Sequence, residues 1–82
     1  MMKEQDVKEW ITGYLAEFLE VPVEAVTPEH DFQRLGLDSV DAVIVGGALE
    51  DRFDIEVDAT LFLRCRNIDE LVADLRRSSL LE

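Results

Sequence analysis

The spacing of apolar residues constrains the fold of this chain most, because it follows the period of an α-helix. From Lys3 to Leu19, apolar side chains recur at steps of three and four residues: Val7, Trp10, Ile11, Tyr14, Leu15, Phe18 and Leu19. This stripe predicts an amphipathic first helix. No segment alternates apolar and polar residues as a half-buried strand would, so we expect an all-α protein.

Two prolines predict a long connection after the first helix. Pro22 and Pro28 interrupt helical pairing between Glu20 and Asp38. Several residues of this connection are nevertheless apolar, namely Val21, Val23, Val26, Phe32, Leu35 and Leu37. We therefore expect an ordered loop that packs its own side chains onto the core.

A second helix is predicted from Ser39 to Phe53. Asp38 or Ser39 can accept the unpaired amide hydrogens of its first turn, and Asp41 is favourable to the helix dipole. The inward face of this helix is expected to include Val40, Val43, Gly47 and Phe53.

Two shorter helices complete the predicted architecture. Asp58 or Thr60 can cap a short third helix that runs through Leu63. Asn67 is a suitable cap for a final helix whose apolar residues again follow helical spacing: Ile68, Leu71, Val72 and Leu75. We expect one domain over residues 1–82, a small four-helix bundle with a long first loop and a short third helix.

Charge and cysteine content limit the partners of such a domain. Nineteen acidic residues against eight basic ones give a net charge of -11, which repels nucleic acid and attracts basic protein surfaces. Cys65 is the only cysteine, so the chain forms no internal disulfide and no multi-cysteine metal site. No apolar run approaches the roughly 20 residues that span a bilayer. We expect a cytoplasmic monomer without nucleic acid, membrane or metal partners.

One segment carries a functional motif. From Asp31 the chain runs DFQRLGLDSVDAVIVGGALEDRFDIEV, and LGLDSV followed by an acidic helix resembles the attachment motif of the acyl carrier protein family. The resemblance extends from the first helix to the final NIDELVADL helix. It implies the acyl carrier fold and 4'-phosphopantetheine, transferred from coenzyme A to Ser39. Acyl groups would then travel as thioesters on that arm, and the protein itself would not be an enzyme.

The resemblance also implies roles for the residues around Ser39. Gly36 would let the backbone turn, Leu37 would anchor the loop end, and Asp38 would complete the motif. The surface expected to dock partner enzymes comprises Asp38, Val40, Asp41, Ile44, Glu50 and Asp51. The residues expected near an acyl chain are Val43, Leu61, Leu63 and Ile68. Ile44 stands where fatty acid synthase carriers commonly have an acid. Two alternatives stay open for it: an apolar contact surface for partners, or packing against the first loop.

The subfamily and partners follow from the same likeness. DSVDAVIVGGALEDRF is most similar to carriers of polyketide and related secondary pathways, whereas peptidyl carriers commonly have GGHS or GGDS where this chain has GLDS. The implied partners are a phosphopantetheinyl transferase, an acyl-loading enzyme (an acyltransferase or an acyl-adenylate ligase), and a ketosynthase or other synthase enzyme.

Two other functions fit parts of the sequence. An unmodified interaction module could recruit a partner through the acidic second helix, although it would not need the LGLDS serine. A hydrolase could combine Ser39, His30 and a carboxylate, but the chain lacks the G-x-S-x-G elbow and a strand before Ser39. We therefore expect a carrier, with the interaction module as the alternative.

Overall fold

The computed structural model describes residues 3–57 and 60–78, which form four α-helices and a short 3-10 turn. The helices are α1 at Glu4–Leu19, α2 at Ser39–Phe53, α3 at Leu61–Arg64 and α4 at Ile68–Arg77, with the 3-10 turn at Val23–Ala25. The predicted all-α bundle, with its long first loop and short third helix, is confirmed.

All four helices and the first loop share one core. Its fully buried large side chains are Val7, Ile11, Leu15, Val45, Leu49, Leu61, Ile68, Leu71 and Leu75. Along the rim, the Trp10 ring stacks on Tyr14 at 5.0 Å and meets Phe53 edge-on at 5.8 Å. The amphipathic patterns predicted for α1 and α4 therefore point to the true core.

The first loop is held by hydrogen bonds to the turn between α3 and α4. The Phe32 amide donates to the Arg66 carbonyl oxygen at 2.7 Å, and the Asn67 side chain donates to the Glu29 carbonyl oxygen at 3.3 Å. Asn67 also accepts from the Glu70 amide at 2.9 Å, which confirms its predicted role as the cap of α4. These bonds fix the loop against the bundle.

The inward face of α2 differs from the prediction. The helix buries Ala42, Val45, Gly46 and Leu49. Val40 and Val43, predicted to point inward, are 66% and 52% exposed, and Gly47 and Phe53 are only partly buried. The helix is apolar on almost every side from Val40 to Leu49, so spacing fits more than one face.

Packing against α3 selects the face that α2 buries. A Cβ added to Gly46 would lie 3.8 Å from Cδ2 of Phe62. The small residues Ala42 and Gly46 are both buried, and together they let α3 lie close to α2. The prediction failed because it did not include the position of α3.

The short helix α3 begins after Thr60, one of its two predicted caps; Asp58, the other, lies outside the described residues. Its last residue, Arg64, pairs with Asp74 of α4 at 2.9 Å. In residues 3–57 and 60–78, no helix has both the length and the apolar character needed to cross a membrane.

Candidate functional site

The start of α2 is closed by a reciprocal pair of hydrogen bonds. The Asp41 amide donates to Oδ1 of Asp38 at 2.8 Å, and the Asp38 amide donates to Oδ2 of Asp41 at 3.4 Å. This is a capping box built from two aspartates, and it satisfies two backbone donors at once. Of the two predicted caps, Asp38 is therefore the one that the structure uses.

Ser39, the first residue of α2, has no such structural task. It is exposed, and its hydroxyl makes no hydrogen bond with any described residue. The backbone amides of Ser39 and Val40 likewise have no partner among the described residues. Two unpaired donors at the positive end of a helix suit a phosphate on the adjacent hydroxyl, so the residues present fit a phosphopantetheine group.

The loop before Ser39 takes the shape that its sequence predicts. Gly36 has a φ of +97°, a backbone conformation that residues with a side chain rarely adopt. Leu37 is buried at 6% exposure, and its amide donates to the Phe32 carbonyl oxygen at 3.0 Å. The glycine turn and the leucine anchor together position Ser39 at the surface.

A cavity of about 480 Å³ opens beside Ser39, between the first loop, the start of α2 and α3. Its lining is Asp31, Phe32, Gln33, Gly36, Leu37, Asp38, Ser39, Ala42, Phe62, Leu63, Cys65 and Arg66. The Phe32 and Phe62 rings lie 5.3 Å apart, so two parts of the chain distant in sequence contribute the apolar wall.

The four residues predicted near an acyl chain do not form one group. Leu63 is 55% exposed and lines the cavity beside Ser39. Leu61 and Ile68 are buried in the core at 1% exposure, and Leu61 lines a smaller cavity of about 240 Å³ next to α4. Val43 lies on the outer surface. Contact of these residues with a cargo stays a prediction.

Sequence reasoning missed Phe32, Phe62, Cys65 and Arg66 as neighbours of Ser39. The apolar character of Phe32 indicated that this loop residue would be buried, but it did not indicate which residues would lie next to it. Cys65 is buried, and burial, followed by the nearby Asp74 carboxylate, raises the pKa of its thiol. The thiol is therefore poorly suited to act as a nucleophile.

Some of the residues predicted to dock partners also make hydrogen bonds within the fold, whereas others do not. Asp38 and Asp41 belong to the capping box, and a Glu50 carboxylate oxygen accepts from the Val57 amide at 2.9 Å. Asp51 is exposed. Ile44 is 48% exposed, which favours the contact-surface alternative over packing against the loop. The docking role of this set stays a prediction.

His30, which a hydrolase would need beside Ser39, makes a local contact within the first loop. Nδ1 of His30 lies 3.1 Å from the Ala25 carbonyl oxygen, within the first loop. In the described ranges, no cluster of three or more His, Cys, Asp or Glu side chains could hold a metal ion.

Relatives by sequence share the segment that contains Ser39. Residues 9–75 match the family described as phosphopantetheine attachment site. Acyl carrier protein 3 of Ralstonia nicotianae is 35% identical over 72 residues, which cover 87% of this chain and 83% of that protein. A non-reducing polyketide synthase of Neosartorya fischeri is 35% identical over 51 residues, which are 62% of this chain and 3% of the synthase.

Solved structures show the same architecture. A free-standing peptidyl carrier protein from an uncharacterized Acinetobacter baumannii secondary metabolic pathway has a TM-score of 0.81 at 28% identity, covering 94% of this chain and 96% of that one. A type-II acyl carrier protein from Streptomyces verticillus, involved in bleomycin biosynthesis, has a TM-score of 0.80 at 22% identity, covering 93% and 89%. The bundle is thus common to an acyl and a peptidyl carrier.

Proposed function

The chain belongs to the phosphopantetheine attachment site family of carrier proteins, and from that premise we propose that Ser39 bears the phosphopantetheine arm. Membership confirms three predictions made from the sequence: the function is that of an acyl carrier, the cofactor is 4'-phosphopantetheine, and the protein is not an enzyme. Carriers of this kind work with synthase and transferase enzymes.

The observation that best supports the assignment is that the Ser39 hydroxyl has no structural role among the described residues. A serine at the start of a helix is usually explained by capping. Here Asp38 performs the capping, and the Ser39 hydroxyl is exposed without a partner among the described residues. The fold has no evident need of this hydroxyl, so a chemical role accounts for it better.

The proposed attachment is a phosphoryl transfer from coenzyme A. Oγ of Ser39 attacks the phosphorus that bears the pantetheine, and a new P–O bond forms. The phosphoanhydride bond breaks, adenosine 3',5'-bisphosphate leaves, and the hydroxyl proton passes to a base of the transferase. The unpaired amides of Ser39 and Val40 can then donate to the attached phosphate.

The arm would turn a small bundle into a mobile tether. The arm would supply a terminal thiol on which an acyl group is carried as a thioester, and the tether would keep that group at high effective concentration for each bound enzyme. In this proposal the cavity of about 480 Å³ beside Ser39 shelters a short cargo. Leu63 would contact the cargo directly, whereas Leu61 and Ile68 would support the wall from the core, and Val43 would stay outside it.

A polyketide or related secondary pathway is the setting we propose. The motif GLDS, the similarity to part of a polyketide synthase and the likeness to a secondary-metabolism carrier support it. The partners would be a phosphopantetheinyl transferase, an acyltransferase or acyl-adenylate ligase that loads the arm, and a ketosynthase. The buried, unpaired thiol of Cys65 is compatible with the reducing cytoplasm.

Intact-mass spectrometry tests the attachment directly. The protein is incubated with coenzyme A, magnesium and a broad-specificity phosphopantetheinyl transferase, together with the variants Ser39→Ala and Ser78→Ala. Ser78 is a second exposed serine and serves as a matched control. The wild type and Ser78→Ala should each gain the mass of a single phosphopantetheinyl group, while Ser39→Ala should gain none.

Two results would contradict the assignment. Modification of the Ser39→Ala variant would show that the arm is attached to another residue. Absence of modification in the wild type with several transferases would favour the unmodified interaction module, which would bind its partner through α2 without an arm.

A further inference from the structure

Arg66 is the only basic residue among the described residues that line the cavity beside Ser39. Its side chain is 76% exposed, so the guanidinium lies at the mouth of the cavity rather than deep in its wall. The other charged residues of the lining are Asp31 and Asp38. Without Arg66, this lining would carry negative charge alone.

The backbone of Arg66 is held on both sides. Its carbonyl oxygen accepts from the Phe32 amide at 2.7 Å, and its own amide donates to a Glu70 carboxylate oxygen at 3.0 Å. The second of these hydrogen bonds is the main cause that lowers the pKa of the Glu70 carboxyl, so Glu70 is ionised at neutral pH. The first loop and α4 together therefore fix the position of Arg66 beside the cavity.

The guanidinium of Arg66 is only partly used by the fold. Nε lies 3.4 Å from a Glu70 carboxylate oxygen, an exposed contact of the kind that contributes little to stability. Nη1 and Nη2 have no partner among the described residues. The close hydrogen bonds of Arg66 come from its backbone, which any residue except proline could supply. The bundle therefore has little need of this guanidinium, and its free N–H groups match paired oxygens of a carboxylate or a phosphate.

We propose that Arg66 binds an oxyanion carried on the Ser39 arm, at the mouth of the cavity of about 480 Å³. The oxyanion is either the phosphate that joins the arm to Ser39 or a carboxylate at the free end of the cargo. Asp31 and Asp38 repel both anions, so retention of either one at the cavity depends on the positive charge of Arg66. This inference rests on Ser39 as the attachment site.

NMR of the arginine side chains tests the contact. Isotope-labelled protein is modified by a broad-specificity transferase with coenzyme A, butyryl-coenzyme A or succinyl-coenzyme A. The arm then carries no cargo, a neutral cargo, or a carboxylated cargo of the same chain length. The Nε–Hε resonance of Arg66 is identified by its loss in Arg66→Gln. Arg34 is the matched control, an exposed base of the first loop outside the cavity lining.

The three modified forms distinguish the two anions. A shift of the Arg66 resonance on attachment of the bare arm identifies the phosphate. A shift that appears only with the succinyl group identifies the cargo carboxylate. The Arg34 resonance should stay in place throughout. The proposal is overturned by an unmoved Arg66 resonance in all three forms, by equal shifts of Arg34 and Arg66, or by a shift that the butyryl group alone produces.

Variants give a second readout that does not depend on the Arg66 resonance. If the phosphate is bound, the phosphorus resonance of the modified protein should move in Arg66→Gln but not in Arg34→Gln. If the cargo carboxylate is bound, Arg66→Gln should hydrolyse the succinyl thioester about two- to fivefold faster, because the released cargo is more open to water, and the butyryl thioester at the wild-type rate. Circular dichroism melts establish that the variants are folded.

The failures of the two proposals are distinguishable. Mass spectrometry that finds no phosphopantetheinyl group on the wild type overturns the assignment of Ser39. A fully modified wild type overturns the role of Arg66 alone if Arg66→Gln leaves both the phosphorus resonance and the hydrolysis of the succinyl thioester unchanged.

Discussion

Replacement of Asp74 by asparagine should destabilise the bundle, because Asp74 joins α3 to α4. Its carboxylate accepts from Nη1 and Nη2 of Arg64 at 2.9 and 3.4 Å, and from Nη2 of Arg77 at 3.0 Å. The Asp74 side chain is 12% exposed, whereas those of Arg64 and Arg77 are 46% and 76% exposed. Asparagine keeps the shape of the aspartate side chain but removes its negative charge, and it places an NH2 group next to the guanidinium of one of the two arginines.

The magnitude follows from these exposures. A hydrogen bond to a charged group contributes about 1.5–3 kcal/mol when it is well shielded. Solvent around both arginines reduces that value, and exposed ion pairs contribute about 0.2–1 kcal/mol. We expect Asp74→Asn to lower the free energy of unfolding by about 1.5 kcal/mol, which corresponds to a fall in Tm of roughly 6–12 °C in a domain of this size.

The effect should also depend on pH. The hydrogen bond from Arg64 holds the pKa of the Asp74 carboxyl below its usual range in the folded state. A lowered folded-state pKa contributes stability that is complete above the unfolded-state pKa and is lost as the pH falls through the folded-state pKa. The difference between wild type and Asp74→Asn should therefore be full at neutral pH and shrink below about pH 4.

Thermal unfolding followed by far-UV circular dichroism measures both effects. Asp69→Asn is the matched control, since the 55% exposed Asp69 side chain lies 3.7 Å from Lys8 in a surface pair worth less than about 1 kcal/mol. If Asp74→Asn melts within about 2 °C of the wild type at neutral pH, or loses the same stability at all pH values, the reasoning about the Arg64–Asp74 link is wrong.

Two further predictions concern the backbone conformation of two glycines and the accessibility of Cys65. Gly47→Ala should stabilise the fold by up to about 1 kcal/mol in urea unfolding, because the position is helical and open. Gly36→Ala has similar open space but a φ of +97°, so it should destabilise by about 1–2 kcal/mol; equal effects would contradict the role of backbone conformation. The thiol of Cys65, buried and with a raised pKa, should react with iodoacetamide much more slowly in the native protein than in urea. Equal rates would show that the thiol is accessible.

The elements that sequence predicts well are those whose signals are local. The stripes of α1 and α4 each have a distinct polar face, and caps such as Asn67 act within one turn. The conformation of the loop at Gly36 also depends on neighbours in the chain. For such features the physical cause lies within a few residues of its effect.

The sequence by itself determined the helices, their order, the long first loop and a serine at the start of α2. Only the tertiary structure decided which face of α2 is buried, because that helix is apolar on most sides and α3 selects the face of Ala42 and Gly46. The same packing leaves Val40 exposed and forms the cavity from Phe32 and Phe62, which are thirty residues apart in the chain. Helical spacing is a property of one segment, whereas burial depends on which other segment packs against it.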